Sequence, residues 1–123
     1  MKNKKNIIPK NYLNRIPTRA KSIQWKTDGD GMVTLEINNT GWANKIAQML
    51  FKRPKISYIH LDKMGSFIWP IIDGEKDITA IGELVDRRFG KDAHPLYERL
   101  AKYFQIMDSY HFIAWVDSKT KSK

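Results

Sequence analysis

Apolar residues change their spacing along this chain, and the change separates two kinds of element. Between positions 21 and 37 they recur every second residue. Ile23 and Trp25 share one face of a stretch from Lys21 to Thr27, and Val33, Leu35 and Ile37 alternate with Thr34 and Glu36 in a stretch from Met32 to Ile37. Period two is the pattern of a half-buried strand. Asp28-Gly29-Asp30-Gly31 stands between the two stretches, and Asp-Gly pairs favour tight turns because glycine tolerates positive φ. The pattern predicts a hairpin. A third alternating stretch, Ile56 to Leu61, puts Ser57, Ile59 and Leu61 on one face and Ile56, Tyr58 and His60 on the other.

Elsewhere the period is helical. Trp42, Ile46, Met49 and Leu50 predict a helix over 42–51, with Thr40 to cap it and Pro54 to end it. After the third strand Asp62 stands at an N-cap position, followed by the amphipathic stripe Met64, Phe67, Ile68, Ile71 and Ile72. Pro70 lies within that stripe and removes a backbone donor, which predicts a kink or a short helix. Asp73-Gly74 reads as its stop, with Gly74 as the left-handed cap. Asp77 caps a second helix with Ile78, Ile81, Leu84, Val85 and Phe89 inward, closed by Gly90. Pro95 opens a third helix at its first turn, where a missing N–H costs nothing, and Leu96, Leu100, Tyr103, Phe104 and Met107 form its stripe. His111 to Val116 reads as a last short strand with both faces apolar.

Strands followed by helices mean an α+β domain. The expected architecture is a three-stranded antiparallel sheet followed by three helices, winged-helix-like, with an extra helix between strands two and three. Residues 1–20 show no period, contain Pro9 and Pro17 and read as a basic flexible arm. The folded domain is then 21–116, and 117–123 is a basic tail.

Composition narrows the function. The chain has 123 residues, enough for one ordinary core. It has no cysteine, which removes disulfides, thiolate metal sites and thiol nucleophiles. The charged start, Met-Lys-Asn-Lys-Lys, leads into no apolar run of signal-peptide length, so a cytoplasmic location is expected and membrane insertion is not. The formal charge of +9 invites a nucleic-acid reading. Its distribution argues against one: residues 1–22 hold seven Lys/Arg and no acid, whereas in 23–116 twelve basic residues face twelve acidic ones. A nucleic-acid reader carries its basic patch on the folded domain. One local excess exists, with Lys45, Lys52, Arg53, Lys55 and Lys63 set against Asp62.

No catalytic set emerges. His60, His94 and His111 lack metal-ligand spacing, and no acidic cluster completes a site. Gly29 and Gly31 lack the strand–loop–helix context of a phosphate loop. Ser22, Ser57 and Ser66 sit in no nucleophile elbow. Asp28 and Asp30 belong to a turn. The expectation is a protein without catalytic residues, metal or cofactor.

The run Ile59-His60-Leu61-Asp62-Lys63-Met64-Gly65-Ser66-Phe67-Ile68-Trp69, then Ile72-Asp73-Gly74, then Asp77-Ile78 and Ile81-Gly82-Glu83-Leu84-Val85 through Phe89-Gly90 resembles the PqqD family, called after the small protein D of pyrroloquinoline quinone biosynthesis. The resemblance covers about Lys55 to Ile113. Asp62 stands where the family usually has Asn, and Asp77-Ile78 where it has a Thr-Val-like pair; Asp caps in both places. The helix at 42–51 departs from the shortest members.

The resemblance implies a peptide-recognition element for ribosomally made, modified peptides. Such a domain binds the leader of a precursor and presents its core to a partner, often a radical S-adenosylmethionine enzyme. Strand addition is the physical mode, because an edge strand offers unpaired N–H and C=O groups. The expected peptide-binding residues are Lys55, Ile56, Ser57, Tyr58, Ile59 and His60 on the third strand, and Arg99, Lys102, Tyr103 and Ile106 on the third helix. Two other classes compete: a winged-helix DNA-binding protein using Arg99, Lys102 and the basic ends, and a structural subunit of a larger complex using Trp42, Met49 and Phe51.

Overall fold

The computed structural model of the chain describes residues 11–38 and 56–116. The expected helix at 42–51, Lys55 and the residues on either side of these two stretches lie outside them. The architecture is α+β, with a three-stranded antiparallel sheet and three helices. In chain order the elements are β1 (Ile16–Arg19), β2 (Gln24–Thr27), β3 (Val33–Asn38), β4 (Ile56–His60), α1 (Lys63–Ile71), α2 (Ile78–Phe89), α3 (Leu96–Ser109) and β5 (Ile113–Val116). The chain divides into two compact units, residues 21–66 and residues 1–20 together with 67–123.

The 21–66 unit contains the sheet, in the order β2-β3-β4 with antiparallel pairs throughout. The expected hairpin is present, and its turn chemistry is local. Asp28 Oδ1 accepts from the N–H of Asp30 at 2.8 Å and of Met32 at 3.0 Å, and Gly31 takes φ +82°. Alternation sorts the faces. Val33 and Leu35 are buried, whereas Gln24, Lys26, Asn38, Ile56, Tyr58 and His60 are exposed. Asp62 caps the following helix as its position predicted, its Oδ1 accepting from Gly65 N–H at 2.8 Å.

One feature of this unit is not local. Leu61 N–H donates to Val33 C=O at 2.9 Å, but Val33 N–H does not return the bond to Leu61. It donates instead to the hydroxyl of buried Ser66 at 2.8 Å, and that hydroxyl donates on to Leu61 C=O at 3.2 Å. The serine thus spans the last rung of the β3–β4 ladder, so that neither the buried Val33 N–H nor the part-buried Leu61 C=O is left unpaired.

In the other unit, β1 pairs with β5 in the register Ile16↔Val116 to Arg19↔Ile113. This corrects the expected arm: residues 12–14 form a 3-10 turn and 16–19 a strand. The strand escapes a periodicity reading because it is four residues long and contains proline. Ala20 N–H donates to Phe112 C=O at 3.0 Å, which fixes the parity: Ile16, Thr18 and Ala20 face β5, and Pro17 faces away. The missing N–H of Pro17 therefore costs the ladder nothing. Its carbonyl accepts from Gly74 N–H at 3.0 Å.

That contact also corrects the role expected of Gly74. Its φ is +80°, but α1 ends at Ile71 and the Gly74 N–H serves β1. The end of α1 is capped from outside. The Arg19 guanidinium donates to the carbonyls of Trp69, Pro70 and Ile72 at 3.3, 2.9 and 2.6 Å, placing a cation where the helix dipole is negative. Glycine is needed at position 74 for its φ and for space, since a Cβ there would lie 3.2 Å from Thr18 Oγ1. Arg15 stacks over the Trp115 ring at 4.1 Å, and Tyr12 meets that ring edge-on at 5.8 Å. Burial pushes the Tyr12 phenol above its ordinary pKa against the opposing pull of Arg15.

α2 and α3 follow the predicted chemistry closely. Asp77 Oδ1 accepts from Ala80 N–H at 2.8 Å, and Gly90 closes α2 at φ +56°. Pro95 stands one residue before the first turn of α3, after a cis peptide bond, rather than within it. Ile78, Ile81, Val85, Leu100, Phe104 and Met107 are buried, with Ile68, Trp69 and Ile72 of the preceding segment. Gly82 lets α3 approach: a Cβ there would stand 2.8 Å from Tyr97 Cε1 and 2.9 Å from Leu100 Cδ1. α3 ends with His111 in the left-handed region at φ 64° and Phe112 N–H donating back to Met107 C=O at 2.9 Å. Among the described residues no helix is long and apolar enough to cross a membrane.

Candidate functional site

β4 lies at one edge of the β2-β3-β4 sheet, and no strand among the described residues pairs with its outer side. The Leu61–Val33 bond fixes which backbone groups face outward. In an antiparallel ladder successive residues point their N–H and C=O alternately to the two sides. Leu61, Ile59 and Ser57 face β3, opposite Val33, Leu35 and Ile37. Ile56, Tyr58 and His60 therefore direct their backbone groups away from the sheet. These same three residues carry the exposed side chains of the strand: Ile56 is 44% and Tyr58 56% exposed. On that face His60 Nδ1 lies 2.9 Å from Thr34 Oγ1. Beside it, Ser22, Gln24, Glu36, Asn38 and Ile56 line a small open hollow.

The other expected contact residues belong to the second unit, and α3 presents them as a surface in its own right. Ile106 is exposed, and so is Tyr110 one turn on, which stacks on Phe112 at 5.5 Å. Tyr103 is half-buried, edge-on to Phe104 at 5.1 Å. Arg99 donates to Asp92 C=O at 2.6 Å, so this cation is tied to the loop before its helix. Lys102 is exposed. Sequence reasoning omitted Tyr110, whose exposure follows from its place just beyond the helix end. It also passed over Ser66, for which a lone small hydroxyl between apolar helix positions was the available signal.

The arrangement offers hydrogen-bonding backbone and apolar contact, and no reactive constellation. Among the described residues no group of three His, Asp or Glu side chains is placed to hold a metal ion. His94 lies 3.4 Å from Asp86, an exposed pair with no third member.

Comparison with known proteins decides the relationship. The family model described as Coenzyme PQQ synthesis protein D (PqqD) matches residues 48–113, more than half of the chain.

The chain belongs to the PqqD family.

The PqqD family is one of non-catalytic accessory proteins of peptide-modification pathways. Among curated proteins it is similar to the large ribosomal subunit protein bL32 of Mycolicibacterium smegmatis (strain ATCC 700084 / mc(2)155), 32% identical over 56 residues, which is 46% of this chain and 95% of that protein. It is similar to the protein of the same description from Mycolicibacterium gilvum (strain PYR-GCK), 29% identical over 56 residues with the same coverage. No solved structure matches the chain. The PqqD match contains β4, all three helices and the first residue of β5, so the candidate edge lies inside the family region.

Proposed function

We propose that this PqqD-family chain captures the leader of a ribosomally made precursor as an added strand on β4 and presents the rest of the peptide to a modifying enzyme of the radical S-adenosylmethionine class. The observation that carries the reading is the outer edge of β4. Ile56, Tyr58 and His60 turn both their backbone groups and their exposed side chains outward, and the strand has no charged residue to repel a partner. Natural sheets commonly guard an edge with lysine, proline or a bulge. An extended peptide satisfies such an edge and gains affinity from main-chain bonds.

In this reading exposed Ile106 and half-buried Tyr103 of α3 receive peptide side chains, with Arg99 and Lys102 as flanking cations. The hairpin and the helices are read here as a winged-helix-like plan, and Lys55, which lies outside the described residues, is counted among the residues that contact the peptide. The lysines and arginine between positions 45 and 63 favour an acidic leader, an effect exerted mainly on the rate of encounter.

The test is a titration with a synthetic leader from a neighbouring precursor gene, followed by backbone amide shifts. The largest shifts are expected at Ile56, Tyr58 and His60. Ile106→Asp is expected to weaken binding at least about tenfold without unfolding, since a buried aliphatic contact contributes about 1.5–3 kcal/mol. Largest shifts at Trp25 and Thr27 of β2, or on α2, with β4 silent, overturn the model. A second reading, nucleic-acid binding, draws on the likeness to bL32 and on the lysines and arginines of residues 1–22. A steep fall of duplex or ribosomal RNA affinity with salt, with no response to the leader, favours it instead.

A further inference from the structure

We infer that the solvent face of β4 is a sequence-reading surface, in which Tyr58 selects the side chain at one position of the bound peptide and Ile56 and His60 select those two places to either side. The inference rests on strand addition at β4 and goes beyond it, because main-chain pairing alone reads no sequence.

The parity of the strand carries the argument. Residues whose backbone faces a partner strand have that partner's residues directly opposite, with side chains on the same face of the sheet. On β4 the residues so placed are Ile56, Tyr58 and His60, and their side chains all lie on the exposed face. An antiparallel peptide at this edge therefore sets alternate side chains against an isoleucine, a tyrosine and a histidine. Directly opposite Cβ atoms in such pairs stand about 4.5–5.5 Å apart, close enough for side-chain contact.

The other faces of these three residues are already furnished. Across the ladder the partners of Ile56, Tyr58 and His60 are Asn38, Glu36 and Thr34. Thr34 Oγ1 meets His60 Nδ1 at 2.9 Å, which holds the imidazole in place and turns its other ring nitrogen away from that bond. Glu36 is engaged by Lys26 at 3.4 Å. Among the described residues Tyr58 has a cross-strand neighbour on one side only, and more than half of its surface remains exposed. The free side of the tyrosine is the side an added strand would occupy. The expected preference is an apolar or aromatic side chain opposite Tyr58, a second apolar one opposite Ile56, and a hydrogen-bonding or acidic one opposite His60.

Selection from a random dodecapeptide library displayed on phage tests this directly, using the full chain and its Tyr58→Lys variant as baits. The exposure of Tyr58 leaves the variant folded, which its melting temperature checks; Tyr58→Thr, which retains strand propensity, serves in its place if lysine unfolds the domain. Wild-type protein is expected to enrich peptides with apolar residues at alternating positions, and Tyr58→Lys to shift the central preference to Asp or Glu. With Tyr58→Thr, a wild-type-selected peptide is expected to bind roughly threefold to fivefold more weakly. If selected peptides shift the amides of Ile56, Tyr58 and His60 but both baits return the same consensus, sequence reading at this face is overturned and strand addition stands. If the selected peptides leave β4 amides unmoved, or no peptide is enriched, both fail together.

Discussion

β2 and β4 are the two outer strands of one sheet, yet only β2 is guarded. Its solvent face carries Gln24 and Lys26, and Lys26 pairs with Glu36 of the central strand at 3.4 Å. A lysine on an edge discourages a second chain from docking, since pairing would crowd or desolvate its charge. β4 has no such guard. The strand Ile56–His60 contains neither charge nor proline and exposes an isoleucine and a tyrosine. By the parity of the ladders, Thr27 directs its backbone groups away from the sheet on one edge, and Ile56, Tyr58 and His60 do so on the other. In the proposed reading, the difference between a protected edge and a receptive one thus lies in a few side chains rather than in the backbone.

Proline is the sharpest way to test that contrast, because at an outward-facing position it removes an edge donor and spares the ladder within the sheet. Tyr58→Pro is expected to lower affinity for a β4-bound peptide by about a hundredfold, and Thr27→Pro to leave it unchanged, as measured by calorimetric titration. Equal losses from both would erase the distinction between the edges. The next largest effect concerns how β4 is held. Ser66→Ala strips the bridge from Val33 N–H and Leu61 C=O, and should cost about 1–3 kcal/mol of stability in chemical denaturation. A change below about 0.5 kcal/mol would mean that the two backbone groups re-pair directly.

Lys26→Ile converts the guarded edge into a copy of the receptive one. It is expected to produce concentration-dependent self-association in analytical ultracentrifugation while altering stability by less than about 1 kcal/mol, the range of an exposed ion pair. A strictly monomeric variant would show that lysine is not what keeps β2 free. The smallest effect serves as a control in the other unit. Asp73 is held down to about 2 from 3.8, first by the hydrogen bond from Lys76 and then by the backbone N–H of Glu75. A depressed carboxylate stabilises above its ordinary pKa and loses that contribution as pH falls toward the lower value. Asp73→Asn should therefore flatten part of the stability loss between pH 3.8 and about 2, by a small margin because the group is exposed, and leave peptide affinity untouched.

What could be read from the sequence follows a physical division. The hairpin, the Asp62 and Asp77 caps and the stripes of α1, α2 and α3 depend on neighbours within a few residues, so spacing and residue type suffice. The pairing of β1 with β5, the Arg19 cap and the Ser66 bridge join positions far apart in the chain. Pro17 and Gly74 illustrate the difference. Both announce a break in regular structure, but only the tertiary bond between them explains where each stands. The candidate strand was legible as a strand with two unlike faces. Its guard-free edge became meaningful only when β2 could be set beside it in the same sheet.

The pairing of Ile16 with Val116 sets the first described strand beside the last. A fold whose first and last strands pair is modular: cut at those strands, it can be grafted into a loop of another protein, or permuted to begin elsewhere, without stretching either junction. For this chain the exposed Gly29 of the β2–β3 turn is a natural new opening. A permutant of residues 11–116 cut there, with a linker joining the segment after β5 to the one before β1, should retain the β1–β5 pair and leave β4 and its outward residues uninterrupted. The proposed recognition would then be portable, able to travel as a cassette within a larger enzyme as readily as on a separate chain.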